Sequence, residues 1–208
     1  PGVINCYLCR MKKFVISLLS VIFLCAAATA QVLVGMTDTT AYFPQLEGRR
    51  VAVLANHTAV ARFGDGAPGV AADAAVRLPG AASDGTIHLV DLLHGRGFDV
   101  TGIFSPEHGF RGTADAGEHV ASSVDAATGI PIRSLYDGNT KRPSDEAMRS
   151  FDVLVVDMQD VGLRFYTYYI TMLRMMDACA ESGRSVIVLD RPNPNGHHVD
   201  GPVLDMKY

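Results

Sequence analysis

The sequence predicts a doubly wound α/β domain, a mostly parallel sheet with helices on both faces. Three observations carry that prediction. Val51–Asn56, Val100–Phe104, Asp152–Met158 and Ser185–Leu189 are short, nearly continuous apolar runs, as strands buried on both faces must be. Stretches with helical periodicity alternate with them, which implies parallel strands joined by right-handed crossovers. Each run also breaks off into polar residues, and ligands of open α/β sheets sit beyond the carboxyl ends of strands.

In chain order, Val51–Asn56 is the first buried strand and runs into His57 and Thr58. Residues 61–85 are rich in Ala, Gly and Asp without a period and read as a loop, an insertion between elements. Thr86–Arg96 places Ile87, Leu89, Val90 and Leu93 on one helical face, with Gly95 and Gly97 to stop it. The strand Val100–Phe104 follows. Ile130–Tyr136 reads as a short strand whose Pro131 suits an edge or a strand start. Pro143–Phe151 reads as a helix opened by proline and acids. After the strand Asp152–Met158, Thr167–Ser182 carries Ile170, Leu173, Met176 and Ala180 at helical spacing and ends at Gly183. Of Tyr168 and Tyr169, one is expected in the core. Met172, Met175 and Met176 read as core filling.

The 208 residues are 48% hydrophobic and 19% charged, which bounds the chain to ordinary globular composition with one domain. Residues 1–30 hold Arg10, Lys12, Lys13 and no acid, so residues 31–208 carry 15 bases against 22 acids. An acidic remainder argues against a nucleic-acid partner, because phosphate binding needs a basic face. Met11-Lys12-Lys13, the apolar Phe14–Ala28 and the small-x-small Ala28-Thr29-Ala30 form a signal-peptide pattern. Its apolar core is short for a bilayer span of about 20 residues. The expectation is therefore export to the periplasm or beyond, cleavage after Ala30 and no stable membrane anchor afterwards. Residues 1–10 then form an upstream extension, and residues 31–208 form the domain. Leu24 before Cys25 does not fit a lipoprotein signal. Cys6 and Cys9 form a lone CxxC outside the processed chain, and Cys179 reads as a buried structural thiol.

Four strand ends collect the chemistry. They are Asn56-His57; Glu107-His108-Arg111 with Asp115 and Glu118 beyond; Asp157-Gln159-Asp160-Arg164 with Tyr166; and Asp190-Arg191-Asn193. A parallel sheet gathers these at one edge. Carboxylates and amides read hydroxyls, arginine forks read carboxylates, and tyrosines border sugar rings. The combination suits a polyhydroxylated ligand that also carries an anion. A metal stays open as an alternative through His57, His108 and Asp157, but no HxH or HExxH spacing supports it. The glycine fingerprint GxGxxG is read as absent, so a nicotinamide cofactor is not expected despite the sheet type, and no GxxxxGKS/T is present.

Ser105-Pro-Glu-His-Gly-Phe-Arg-Gly112 with Asp115-Ala-Gly-Glu118, then Val156-Asp-Met-Gln-Asp-Val-Gly-Leu-Arg-Phe-Tyr-Thr-Tyr168, then Leu189-Asp-Arg-Pro-Asn-Pro194, then Gly201-Pro-Val-Leu-Asp205 resemble the NamZ-like exo-β-N-acetylmuramidase family. That family was long catalogued as a domain of unknown function. The resemblance runs from about Gly35 to Tyr208. It implies a glycosidase that releases N-acetylmuramic acid from the non-reducing ends of peptidoglycan fragments, muropeptides or disaccharides, in cell-wall turnover. It also implies a Rossmann-like first domain and a smaller second domain, with the cleft between them. The family continues past Gly-Pro-Val-Leu-Asp, so the second domain is expected to be missing here and the fragment catalytically poor.

Carried over by position, Glu107 becomes the candidate catalytic acid, and His108 and Arg111 line the same site. The second carboxyl group is Glu118, Asp115, Asp157 or a water-positioning group. A separation of about 5 Å would imply retention of configuration, and roughly 6.5–9.5 Å inversion. Asp157, Gln159, Asp160, Arg164 and Tyr166 would shape the sugar subsite, with Asp190, Arg191 and Asn193 from the later motif. The lactyl carboxylate of muramic acid calls for an arginine, and the sequence leaves open which one. Two other readings stand beside the glycosidase: a non-catalytic cell-wall sugar-binding module, and a metal-dependent hydrolase of amide or phosphate.

Overall fold

The computed structural model describes residues 33–63, 80–106, 110–111, 123–135 and 142–207. A 3₁₀ turn at Gly35–Thr37 leads into α1 (Thr39–Leu46) and β1 (Arg50–Ala55). A small hairpin pairs β2 (Val60–Arg62) with β3 (Thr86–His88) antiparallel. Then come α2 (Leu89–Gly95), β4 (Asp99–Ser105), β5 (Ser123–Val124), β6 (Pro131–Ser134), α3 (Asp145–Arg149), β7 (Val153–Asp157), α4 (Tyr168–Glu181) and β8 (Ser185–Val188).

The main sheet runs β5-β6-β4-β1-β7-β8, and every pairing in it is parallel except β5 with β6. The chain starts in the middle at β1, winds outward through β4 and β6, then returns to β7 and β8 on the other side. Its parallel strands therefore follow the 3-2-1-4-5 order of a Rossmann-like sheet. Alternation along the strands sends side chains to two cores. Val51, Val53, Ala55, Ile103, Val153 and Val155 pack with α1 and α2, while Ala52, Leu54, Phe104, Leu154 and Val156 pack with α3 and α4. Helices thus cover both faces, as the apolar strand runs require.

Helix ends follow local chemistry. Gly97 and Gly183 take φ of 81° and 65°. Each closes a helix with a Schellman pair: Phe98 N–H donates to Leu93 and Gly97 N–H to His94, at 3.1 and 3.0 Å. Arg184 N–H donates to Cys179 and Gly183 N–H to Ala180, at 2.8 and 3.3 Å. Ser144 Oγ caps α3 by accepting from Ala147 N–H, so that helix begins just after Pro143.

Two expectations need correction. The helix expected over Thr86–Arg96 begins only at Leu89. Residues 86–88 are β3, drawn into strand by the partner Val60–Arg62 inside the stretch read as loop. Residues 64–79 of that stretch lie outside the described residues. On α4, Tyr168, Thr171, Met175, Ala178 and Cys179 face the core, while Leu173 and Met176 of the expected face are 49% and 38% exposed. The helix is apolar on more than one side, and the buried Thr171 hydroxyl donates to Thr167 O at 3.1 Å, so it enters the core satisfied. Tyr168 is the buried member of the tyrosine pair. Cys179 is fully buried, and burial pushes its thiol up to about 11, which makes it inert.

Candidate functional site at the carboxyl edge of the sheet

In this strand order the winding direction reverses between β1 and β7, so a crevice opens beyond their carboxyl ends. Ala55 and Asp157 are register partners, which puts Asn56-His57-Thr58 beside Met158-Gln159-Asp160. Asn56 is fully buried. Its Oδ1 accepts from Thr58 N–H at 3.0 Å and from Thr58 Oγ1–H at 2.6 Å. Thr58 Oγ1 in turn accepts from Gln159 N–H at 2.9 Å, across from one strand end to the next. Asn56 Nδ2 is buried without a partner among the described residues. The His57 side chain is exposed.

The β7 and β8 loops are stitched together. Gln159 Nε2 donates to Asp160 O and to Pro192 O at 2.8 and 2.9 Å, and Asn195 Nδ2 donates to Val161 O at 2.7 Å. Asp160 Oδ1 accepts from Gly162 N–H at 2.6 Å, while its Oδ2 is buried without a described partner. Gly162 has φ 71°, and a Cβ there would lie 2.1 Å from Asn193 Oδ1, so only glycine fits. Asn193 Oδ1 accepts from Asn195 N–H. Asp190 is exposed and accepts from Gly35 N–H through its main-chain oxygen at 2.7 Å. Tyr166 and Tyr168 meet edge to face at 5.0 Å. Val156, Met158, Asp160, Tyr169, Met172 and Arg191 line a small cavity of about 150 Å³ beside them.

Asp157 is 0% exposed, and the Arg191 guanidinium grips both its oxygens through Nε and Nη2, while Nη2 also donates to Val60 O at 3.1 Å. Burial pushes the Asp157 carboxyl above the usual carboxylate range against the pull of Arg191. Sequence reasoning made Asp157 a candidate catalytic group and Arg191 a candidate ligand contact. The structure puts both into a buried ion pair, which braces β7 to the β8 loop.

Arg111 has the same fate at the β4 side. Its Nε and Nη2 donate to Asp125 at 2.9 and 2.8 Å, and its Nη1 and Nη2 donate to Asp91 at 3.1 and 3.0 Å. These bonds, to Asp125 first and Asp91 second, hold its pKa above the ordinary arginine value. Burial pushes Asp125 up, but the bonds from Arg111 and Thr128 reverse this and leave it below the usual range. Phe110 is buried, and its ring meets His88 edge on at 4.8 Å. Val90 N–H donates to His88 Nδ1, which leaves Nε2–H to donate to Asn56 O at 2.9 Å. Burial lowers the His88 pKa, so the imidazole is neutral.

Glu107, His108, Asp115 and Glu118 lie outside the described residues. Sequence reasoning missed Thr58, His88, Asp91 and Asp125. Two had signals. Asp91 stands inside Leu89-Val-Asp-Leu-Leu93, and a carboxylate within an apolar helical face demands a partner. Asp125-Ala-Ala-Thr-Gly129 has turn-forming ends.

A Rossmann-ordered α/β domain with a polar crevice at its switch point is the class that fold and site define. The chain belongs to the family described as "Exo-beta-N-acetylmuramidase NamZ, N-terminal", which matches residues 70–208. It is 49% identical over 121 residues to the peptidoglycan beta-N-acetylmuramidase NamZ of Bacillus subtilis (strain 168), a match that covers 57% of this chain and 29% of that protein. Two crystal structures of DUF1343 family proteins from Bacteroides fragilis NCTC 9343 are similar. One is 47% identical with a TM-score of 0.63, covering 86% of this chain and 40% of that one. The other is 34% identical with a TM-score of 0.63, covering 84% and 38%. The chain therefore spans well under half the length of these relatives. The letters GxGxxG do occur at Gly64–Gly69, but they follow the hairpin strand β2, not a strand of the main sheet, which removes the context a dinucleotide fingerprint needs.

Proposed function

We propose that this chain is the sugar-cleaving domain of an exported glycoside hydrolase that releases N-acetylmuramic acid from the non-reducing ends of peptidoglycan fragments. The observation that carries the reading is the convergence of three of the four motifs on one sheet edge: the Gln159–Arg164 and Asp190–Asn193 loops are hydrogen-bonded together, and Phe110–Arg111 of the first motif is tied through His88 to the same β1 end. Glycoside hydrolysis needs a carboxylic acid near the leaving oxygen. Glu107, which follows Ser105-Pro106 in the sequence and lies outside the described residues, is the candidate for that acid. The signal-peptide pattern at Met11–Ala30 supports export, which is where peptidoglycan fragments are met.

The test is to express a full-length version, second domain included, with its leader and assay release of muramic acid from a chromogenic glycoside. Glu107→Gln is expected to lose turnover by a factor of about 10² or more, the scale of general acid catalysis, with an unchanged melting temperature. The secreted product should begin at Gln31 by mass spectrometry. Undiminished turnover by Glu107→Gln would remove Glu107 from the role. Binding of muramic acid without turnover in the wild type would replace the enzyme by a sugar-binding module.

A further inference from the structure

We propose a division of labour among the three motif arginines: Arg164 reads the lactyl carboxylate of the sugar, and Arg111 is a positioning residue that never touches it. The inference rests on the muramidase reading above and deepens it.

A guanidinium offers five N–H donors and recognises a carboxylate best through one of its two-donor edges. On Arg111 both edges are taken. The Nε/Nη2 edge meets the two oxygens of Asp125, and the Nη1/Nη2 edge meets the two oxygens of Asp91. One N–H is left, and the cluster carries two negative charges against one positive. A substrate anion would find neither a free edge nor a favourable potential there. Both partner carboxylates are 5% exposed. Asp125 is fixed further by Thr128 N–H and Oγ1–H at 3.2 and 2.7 Å. Gly80 approaches the Asp91 carboxylate so closely that a Cβ would sit 2.7 Å from its Cγ. The guanidinium also lies 4.8 Å from the centre of the Phe110 ring, itself packed on His88. What Arg111 does is pin the motif near its end, while the buried Ser105 anchors its start.

Arg191 has one two-donor edge committed, with Nε and Nη2 on the buried Asp157, and its side chain is only 8% exposed. Arg164 differs. Its side chain is exposed, and its Nη1 donates to a single main-chain acceptor, Pro202 O, at 3.2 Å. Among the described residues no carboxylate meets its Nε/Nη2 edge. Its backbone is not loose, because Tyr169 Oη donates to Arg164 O at 3.2 Å. The open edge stands on the same loop as Asp160 and Tyr166, between the second motif and Pro202 of the last. An anion on a sugar in the crevice beside this loop would meet that edge without breaking an existing ion pair.

The experiment compares N-acetylmuramic acid with N-acetylglucosamine, which lacks the lactyl group, by calorimetry, and the matching chromogenic glycosides by KM and kcat. The wild-type chain should prefer the muramic form. Arg164→Ala should erase that preference by raising Kd and KM for the muramic form about ten- to a hundred-fold, the value of a charged hydrogen-bonded pair, and affect the glucosamine form far less. Arg164→Lys should restore part of it. Arg111→Lys and Asp125→Asn should lower kcat on both sugars with the preference intact, and melting curves will show that they remain folded. Loss of the preference in Arg111→Lys with retention in Arg164→Ala would overturn the assignment. A full-length wild type, second domain included, that binds neither sugar would defeat the muramidase reading itself, and the inference with it.

Discussion

Two aspartates bracket β7, and the sheet treats them in opposite ways. Asp152, just before the strand, sits in the open between Arg50 and Arg184, with its closest contact to Arg50 Nη2 at 2.7 Å and 36% of its side chain exposed. Hydrogen bonds from the Arg50 side chain and backbone pull its pKa down to about 2. Asp157, the last residue of the strand, is fully buried against Arg191, and desolvation pushes it the other way. Residue type and partner type are the same; depth is the main difference, beside the second arginine and the backbone N–H that Asp152 also meets. Water already stabilises the exposed carboxylate, so its ion pair adds little. The buried one is stabilised by its partner alone. The amino edge is therefore a surface seam, whereas the carboxyl edge stores its charges in closed pairs that hold loops in place.

That contrast is breakable. The largest effect is expected from Asp157→Ala, which strands the 8% exposed Arg191 guanidinium without its partner. Removing one member of a buried pair costs about 3–5 kcal/mol, read by urea denaturation. Replacing both, as Asp157→Leu with Arg191→Met, should recover most of that stability. A double variant as unstable as the single one would show that the pair does more than satisfy itself.

A smaller effect concerns His88. Its folded pKa lies below the ordinary 6.5, so on acidification the unfolded chain takes up the proton first. Stability is thus fully present above 6.5 and is lost as pH falls through the lowered value. Melting temperatures from pH 8 to 5 should decline below about 6.5, and His88→Gln should flatten that decline. An identical slope in His88→Gln would show that the imidazole is not held neutral.

The smallest effect is expected at the seam. Asp152→Asn should barely move the melting temperature, and what shift there is should vanish in about 1 M salt, where the Debye length is near 3 Å. In a carbon NMR titration Asp152 should have its midpoint near 2, and Asp157 above the ordinary 3.8. A common midpoint for the two would erase the comparison.

Most strands were legible because burial on both faces writes itself as unbroken apolar runs. Val153–Asp157 and Arg50–Ala55 fall within a residue or two of the expected bounds. The glycine stops were legible for the same local reason, since glycine adopts cheaply the positive φ that each cap takes at Gly97 and Gly183. The strand β3 was not legible, because Thr-Ile-His becomes a strand only through a partner two dozen residues upstream. The buried face of α4 was not legible either, because apolar residues on several sides let periodicity nominate the wrong one.

By itself, then, the sequence determined the fold class and which of the described motif residues meet at the carboxyl edge of the sheet. These depend on local periodicity and on the fixed direction of parallel strands. The tertiary structure alone decided what each charged group does at that edge. Asp157, Arg111, Arg191 and Arg164 read alike in one dimension. A charge acquires its role from depth and from partners distant in the chain: Asp125 for Arg111, Arg191 for Asp157, and a lone carbonyl of Pro202 for Arg164. Coulomb energy and desolvation both depend on that three-dimensional surrounding.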